Sequence, residues 1–180
     1  MLPFFHQPVI QRAMERVLYM WSMRHPASGY VQGMNDVLAP CLLVCLQPYV
    51  CGEVLRSDVA QIREETVNDV EADTYYTLGL VLNGIQDHYT PHQLGIQRMV
   101  QRLEDLTSRI DSDLHGHFMK QDVCYIQFAF RWANCLLLRE LPLRVIIRMW
   151  DSCIAEGETG FEQFITYICV VILQTFRHEV

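Results

Sequence analysis

Apolar residues recur every three or four positions along most of this chain, which is the spacing that one face of an α-helix requires. A first helix is predicted from Pro8, because proline suits a first helical turn, to about Arg24, because His25-Pro26 disfavours helical geometry. The same pattern predicts further helices at about 33–46, 67–89, 96–110, 111–120, 123–139, 142–155 and 160–177. No alternating period of two is long enough for a sheet, so the predicted fold class is all-α.

Two stretches depart from simple helical periodicity. Residues 47–66 gather proline, glycine and charge, which predicts an exposed loop with a short helix. Within the second helix, Pro40 is expected to cause a kink because it removes a backbone donor. The longest apolar runs, Val37–Leu46 and Phe164–Leu173, are much shorter than the roughly 20 residues of a membrane-spanning helix. We therefore predict no transmembrane segment and a single domain over residues 1–180.

Composition and charge narrow the classes of partner. The chain is 51% hydrophobic and 19% charged, which argues against disorder. Its net charge is −7, and Lys120 is its single lysine, so nucleic acid is a poor partner. The high apolar content, and a last helix that ends without a following cap, lead us to expect an interior portion of a larger domain that lacks its N-terminal and C-terminal helices.

The seven cysteines do not form a recognisable framework. Their number is odd, no Cys-x-x-Cys occurs, and most lie in apolar helical patterns, so we interpret them as buried, reduced thiols of a cytosolic protein. Cys41 and Cys45 have helical spacing for two zinc ligands, but no second ligand pair accompanies them. No metal site is predicted.

Other acidic and basic clusters are interpreted as structural. In the segment 111–117, two Asp–His pairs fall on different faces of a helix, so they do not converge on a metal and are expected to be solvated charges. Glu71 and Asp73 also lie on different faces, and fit helix charges or groups that orient a neighbour. Arg131-Trp132 and Arg139-Glu140 lie in a very apolar predicted helix, so their arginines are expected to form buried ion pairs within the fold.

The segment Gly29–Asp36 carries the strongest candidate chemistry. It places Gln32 in a glycine-flanked turn before an apolar helix. A carboxamide can hold water through its carbonyl and donate an N–H to developing negative charge, which is the task of a residue that orients the attacking water in GTP hydrolysis. The alternative is an ordinary turn residue bonded to nearby backbone. Gly29 and Gly33 allow backbone geometry that a side chain would forbid.

Asn35 and Asp36 suit the start of the following helix, by capping it and by complementing its dipole. The chain has no Gly-x-x-x-x-Gly-Lys phosphate loop and no Gly-x-Ser-x-Gly nucleophile elbow. Its own sequence therefore predicts neither a P-loop nucleotide hydrolase nor an α/β-hydrolase.

Four separated segments together resemble the TBC domains, which are the GTPase activators of Rab proteins. The segments are Gly29–Asp36, Glu71-Ala72-Asp73, Phe130-Arg131-Trp132 with Leu138-Arg139-Glu140-Leu141, and Met149-Trp150-Asp151. Their order and rough spacing match that family over most of the chain. The sequence of residues 24–33 is most similar to that of the member 22 branch of this family.

The resemblance implies an all-helical, multi-helix domain with a dual-finger mechanism. In this mechanism a glutamine and an arginine side chain of the domain act on the GTP bound to the Rab protein. Gln32 would be the glutamine finger, and Tyr30 and Asn35 would hold its loop in shape. The second finger is an arginine in an Ile-x-x-Asp-x-x-Arg motif, which would precede Tyr30 by a few dozen residues and so lie before Met1. Without it, we expect these 180 residues to be a weak activator or none.

The resemblance also implies a partner, a location and two alternatives. The partner would be a Rab-family GTPase in its GTP-bound state, and both GTP and Mg²⁺ would belong to that partner, so no cofactor is expected here. The protein would be a regulator in vesicle trafficking rather than an enzyme with its own substrate turnover. It would be cytoplasmic and peripheral to Golgi or vesicle membranes. The alternatives are a module that binds Rab without catalysis, and a helical scaffold.

Overall fold

The computed structural model describes residues 3–179, which form helices and turns and contain no strand. The α-helices are α1 Pro8–Arg24, α2 Met34–Leu46, α3 Glu64–Asn83, α4 Leu94–Ile110, α5 Ser112–Lys120, α6 Ile126–Asn134, α7 Leu143–Ala155 and α8 Gly160–Thr175. Short 3₁₀ helices occupy Pro3–His6, Gln47–Tyr49, Val54–Arg56 and Gln86–His88. The all-α prediction is confirmed.

Most predicted helix positions agree with the structure, with two corrections. The helix predicted over 67–89 runs instead over Glu64–Asn83, and a 3₁₀ turn follows it. The helix predicted over 123–139 is shortened to Ile126–Asn134. The segment 47–66 contains two 3₁₀ helices and the start of α3.

The chain forms two compact units, one ending at Leu82 and one beginning at Asn83. In the first unit, α1 packs against α2. The buried residues of α1 follow a three- and four-residue spacing: Ile10, Ala13, Val17 and Trp21. Most of α2 is buried, including Pro40. Each fully buried apolar side chain of this kind contributes about 1.5–3 kcal/mol to stability.

The second unit is organised around α4, which packs against α5, α6 and α8. Its buried stripe consists of Gly95, Ile96, Met99, Val100, Leu103 and Thr107. Helix α7 packs against α8 in the same unit. The strong periodicity of α4 in the sequence reflects this central position.

Helix α6 ends early because two leucines leave the helical region of backbone space. Leu136 and Leu137 have φ of 49° and 63°, and both are fully buried. The Leu137 N–H donates to the carbonyl of Trp132 at 2.9 Å, and Trp150 Nε1 donates to the carbonyl of Leu136 at 3.2 Å. Tertiary contacts therefore stabilise a turn where the sequence predicts a continuing helix.

Cysteine burial agrees with the prediction for only part of the set. Cys41, Cys135, Cys153 and Cys169 are buried, but Cys51 and Cys124 are exposed, so the expectation of burial is wrong for those two. Burial raises the pKa of Cys41, Cys153 and Cys169 to about 12. Those three thiols are therefore protonated at neutral pH.

No helix within residues 3–179 has the length and apolar character needed to span a bilayer.

Candidate functional site

The candidate site is the turn that joins α1 to α2, and it starts where α1 ends at Arg24. His25 follows as the C-terminal cap residue, and its N–H donates to the carbonyl of Trp21 at 3.0 Å. The next residue is Pro26, which cannot donate a backbone hydrogen bond and so helps to end the helix. The chain then turns through Gly29 and enters α2 at Met34.

Gln32 is an exposed residue at the tip of this turn. On its C-terminal side, Gly33 has φ of 108° and is buried, and Met34 is buried as the first residue of α2. The Met34 N–H donates to the carbonyl of Val31 at 3.1 Å, which closes the turn around Gln32. The amide side chain therefore belongs to a turn whose following backbone is fixed in the core.

Glycine is favoured at both ends of the turn. Gly29 has φ of 60° and Gly33 has φ of 108°, and both values lie in the region that residues with a Cβ rarely adopt. The prediction that these glycines serve backbone geometry is confirmed. Around Gly29 a Cβ would meet no other atom within 4 Å, so backbone conformation alone makes glycine favourable there.

Asn35 connects both sides of the turn. Its Oδ1 accepts the N–H of Gly33 at 3.3 Å and the hydroxyl of Tyr30 at 3.4 Å. The structure thus brings together Tyr30, Gly33 and Asn35, three of the residues predicted to surround Gln32. Tyr30 itself is 53% exposed, so its ring lies at the surface beside the turn.

The predicted capping role is wrong for Asn35, whereas the predicted dipole role holds for Asp36. The N-cap position of α2 is Gly33, with no side-chain cap hydrogen bond, and Asn35 reaches back to the turn instead. Asp36 lies in the first turn of α2, where its charge complements the positive end of the helix dipole, and it is half-buried. Gly33 replaces a polar cap because the chain enters α2 through a left-handed residue.

Sequence reasoning missed an aromatic contact at the base of the turn. The imidazole of His25 stacks on the indole of Trp21, with ring centroids 3.6 Å apart and planes inclined by 14°. The His25 Nδ1 also lies 2.9 Å from the carbonyl oxygen of Trp21. The signal was present, because residues four apart on a helix are neighbours and this pair directly precedes a proline.

A groove of about 490 Å³ lies in the same unit between α1 and α3. It is lined by Arg16, Val17, Met20, Arg24, Asn68, Glu71, Ala72, Tyr75 and Tyr76. Arg16 donates to both carboxylate oxygens of Glu71, and this hydrogen bonding raises the pKa of Arg16. Glu71 therefore orients a neighbour, one of its two predicted roles. The guanidinium of Arg24 lies over the Tyr75 ring, 5.7 Å from its centroid.

The other acidic and basic clusters predicted from the sequence make contacts within the fold. Asp111 caps α5, accepting the Leu114 N–H at 3.1 Å, and it is buried within 2.9 Å of Arg177. The expectation that it is a solvated charge is therefore wrong. Arg131 pairs with Glu140 at 2.6 Å, but the Arg131 side chain is 59% exposed, so the expected burial of this ion pair is wrong. Among residues 3–179, no three His, Cys, Asp or Glu side chains are grouped as metal ligands would be.

The model of the family described as Rab-GTPase-TBC domain matches residues 1–180. The human protein TBC1 domain family member 22B is 47% identical over 180 residues, covering 100% of this chain and 35% of that protein. The GTPase-activating protein gyp1 of Schizosaccharomyces pombe is 46% identical over 176 residues, covering 97% of this chain and 34% of that protein.

A solved structure agrees with the fold. The crystal structure of the Ypt/Rab-GAP domain of Gyp1p superposes with a TM-score of 0.93 at 38% identity, covering 99% of this chain and 56% of that chain. The present chain spans about a third of the length of the relatives named above. The family match extends over every residue of the sequence, and the chain belongs to the Rab-GTPase-TBC domain family.

Proposed function

We propose that this chain acts on a GTP-bound Rab-family GTPase and that Gln32 enters the partner's nucleotide site to orient the attacking water. The observation that carries the proposal is an exposed carboxamide at the tip of a turn whose flanking backbone is fixed. Catalysis of phosphoryl transfer consists largely of positioning and electrostatic stabilisation, so a preorganised amide is the kind of group that this reaction uses.

Each part of the turn has a place in this mechanism. The Gln32 carbonyl oxygen accepts a hydrogen bond from the water, and its NH₂ donates toward charge on the transferring phosphoryl group. Gly33 and the buried Met34 fix the backbone that carries the amide, and Asn35 joins Gly33 to Tyr30. GTP and Mg²⁺ belong to the GTPase, so the chain is a regulator without substrate turnover of its own. Its setting would be vesicle trafficking, on the cytoplasmic face of Golgi or vesicle membranes.

The test is single-turnover GTP hydrolysis by a panel of Rab proteins in the presence of the intact protein that carries this sequence. We expect Gln32→Ala to reduce the acceleration about 10²-fold, as the loss of one preorganised donor does in other enzymes. The matched control is Gln61→Ala, because Gln61 of this chain is also an exposed glutamine in a turn of the first unit. Unchanged acceleration by Gln32→Ala would exclude the catalytic role.

For residues 1–180 taken alone, the second candidate is a module that binds GTP-bound Rab without accelerating hydrolysis. No Ile-x-x-Asp-x-x-Arg run occurs in residues 1–180. An arginine finger contributes 10³–10⁵ in rate, which is more than Gln32 alone would supply. Tight, GTP-dependent binding with an unchanged hydrolysis rate would select this candidate, and Gln32→Ala would then affect neither quantity strongly.

A further inference from the structure

His25, which follows the last residue of α1, contacts that helix through its side chain as well as through its backbone. Its ring lies flat against the Trp21 indole at 3.6 Å, and its Nδ1 lies 2.9 Å from the Trp21 carbonyl oxygen. Stacking on a neighbouring ring and a hydrogen bond together leave an imidazole little freedom to rotate. The residue that begins the turn is thus held in one orientation.

Trp21 provides a rigid support for that ring. It is 2% exposed, and a Cβ added at Gly79 of α3 would lie 3.8 Å from the indole ring, so the indole already reaches the α3 backbone. Tyr75 of the same helix lies with its ring centroid 6.4 Å from that of Trp21. The indole therefore transmits the position of α3 to His25.

The backbone carbonyl of His25 connects this support to the turn. It accepts the N–H of Gly29 at 2.8 Å and that of Ser28 at 3.2 Å, and the Ser28 hydroxyl lies 3.3 Å away. Gly29 is the residue from which the chain turns toward Gln32, three positions later. The direction of this carbonyl therefore sets where the turn begins, while Asn35 and Met34 fix where it ends.

We propose that His25, stacked on Trp21, is a positioning residue for Gln32, an inference that rests on the proposed function. The stacked ring holds the His25 carbonyl in place, the carbonyl holds Gly29, and the Gln32 amide is thereby presented at a fixed angle. A displacement of about 1 Å in a catalytic group can lower a rate by 10²-fold. His25 touches no reacting atom, so its loss should lower kcat and leave the KM for the GTPase unchanged.

The test uses the intact protein with His25→Ala, measured by GTP hydrolysis kinetics and by amide hydrogen exchange of Ala27–Gly33. We expect a roughly tenfold lower kcat, an unchanged KM, and faster exchange confined to the turn. His25→Phe keeps a ring that can stack on Trp21, so its kcat should stay within about threefold of the parent protein. Because it preserves the packing, it also provides a folded variant if the alanine variant is unstable.

His115→Ala is the matched control. His115 is likewise half-buried, lies at a stacking angle to Tyr125 and has its Nδ1 3.2 Å from that hydroxyl, but it belongs to α5 in the second unit. It should leave kcat and exchange in Ala27–Gly33 unchanged. Equal losses of kcat in the His25 and His115 variants, or a folded His25→Phe as impaired as His25→Ala, would overturn the positioning role.

Failure of this inference is distinguishable from failure of the proposed function. If Gln32→Ala abolishes acceleration while His25→Ala changes neither kcat nor exchange in the turn, the proposed function stands and the inference is wrong. If Gln32→Ala has no effect, the proposed function is wrong. In that case, unchanged exchange in His25→Ala would also exclude His25 as the support of the turn.

Discussion

Two of the turns in this chain that use left-handed backbone stabilise it in opposite ways. The exposed turn around Gln32 places glycine at both left-handed positions, Gly29 and Gly33, where the conformation costs little. The buried turn after α6 places Leu136 and Leu137 there instead. Each leucine costs about 1–2 kcal/mol in this region of backbone space. Complete burial of a leucine contributes about 1.5–3 kcal/mol, so burial offsets the strain.

Each kind of turn suits a different environment. A turn that must present a polar side chain to solvent cannot rely on burial, so its geometry has to come from glycine and from polar contacts such as that of Asn35 with Gly33. A turn inside the core can use bulky residues, provided that its backbone groups are satisfied, as Trp150 satisfies the carbonyl of Leu136.

The largest effect should come from removing the burial that stabilises the second turn. Leu136→Ala is expected to lower the free energy of unfolding by about 2–5 kcal/mol, because it leaves a cavity and keeps the strained backbone. Leu136→Gly should be no worse than alanine, since glycine relieves the strain. Urea unfolding measures both, and Leu80→Ala, at a 67% exposed position, is the control. A glycine variant clearly less stable than the alanine variant would show that the leucine backbone is unstrained.

Lowering the pH should have a smaller effect on the free energy of unfolding. It should loosen the buried turn after α6 and leave the turn around Gln32 unchanged. His88 is 1% exposed, and burial lowers its pKa. Asp87, the Ala133 backbone and Glu162 favour the charged form, while Arg98 opposes it, and burial outweighs them. His88 faces the last turn of α6 through Ala133, so it lies beside the buried turn and not beside Gln32.

The sign of the pH effect follows from proton uptake. Below the ordinary pKa of 6.5 the unfolded chain binds a proton at His88 that the folded chain does not bind. Stability is therefore fully present above pH 6.5 and falls as the pH drops toward the lowered folded pKa, by up to about tenfold in the folding constant per pH unit. Amide exchange should show residues 135–140 loosening first. His88→Asn should flatten this dependence, and His117→Asn, at an exposed position, should not.

The smallest effect should come from the glycine turn itself. Gly29→Ala should destabilise the protein by about 1 kcal/mol, because the backbone is left-handed while the surrounding space is open. Gly116→Ala lies inside α5, also in open space, and should stabilise it by up to about 1 kcal/mol. Thermal unfolding of the two variants compares them directly, and shifts in the same direction would contradict the assignment.

The same contrast explains how much could be predicted from the sequence. Helix α1 was placed at its observed bounds because local signals agree there: Pro8 at its start, an apolar stripe, and His25-Pro26 at its end. The turn around Gln32 is also predictable, since glycines in a short segment indicate left-handed backbone geometry. By contrast, leucine is a strong helix former, so nothing local indicated that Leu136 and Leu137 would end α6.

The candidate site was predictable in part for similar reasons. Its residues lie within one short segment, so Tyr30, Gln32 and Asn35 can be chosen together from the sequence. The direction of the Asn35 side chain could not, because an asparagine near a helix start has both a capping and a turn-bridging geometry available. Burial of Asp111 was also missed, because its partner Arg177 is 66 positions away in the sequence and pairing at that range leaves no local pattern.

The cysteines differ in exposure, and each unit has an exposed thiol that can be labelled. Cys51 lies on the surface of the first unit and Cys124 on the surface of the second, whereas Cys41, Cys153 and Cys169 are buried and hold their protons at neutral pH. Thiol-directed probes should therefore react first at two places, one in each half of the chain. A spin-label pair attached at Cys51 and Cys124 would measure the distance between these two residues with and without an added GTPase, and no cysteine would have to be introduced.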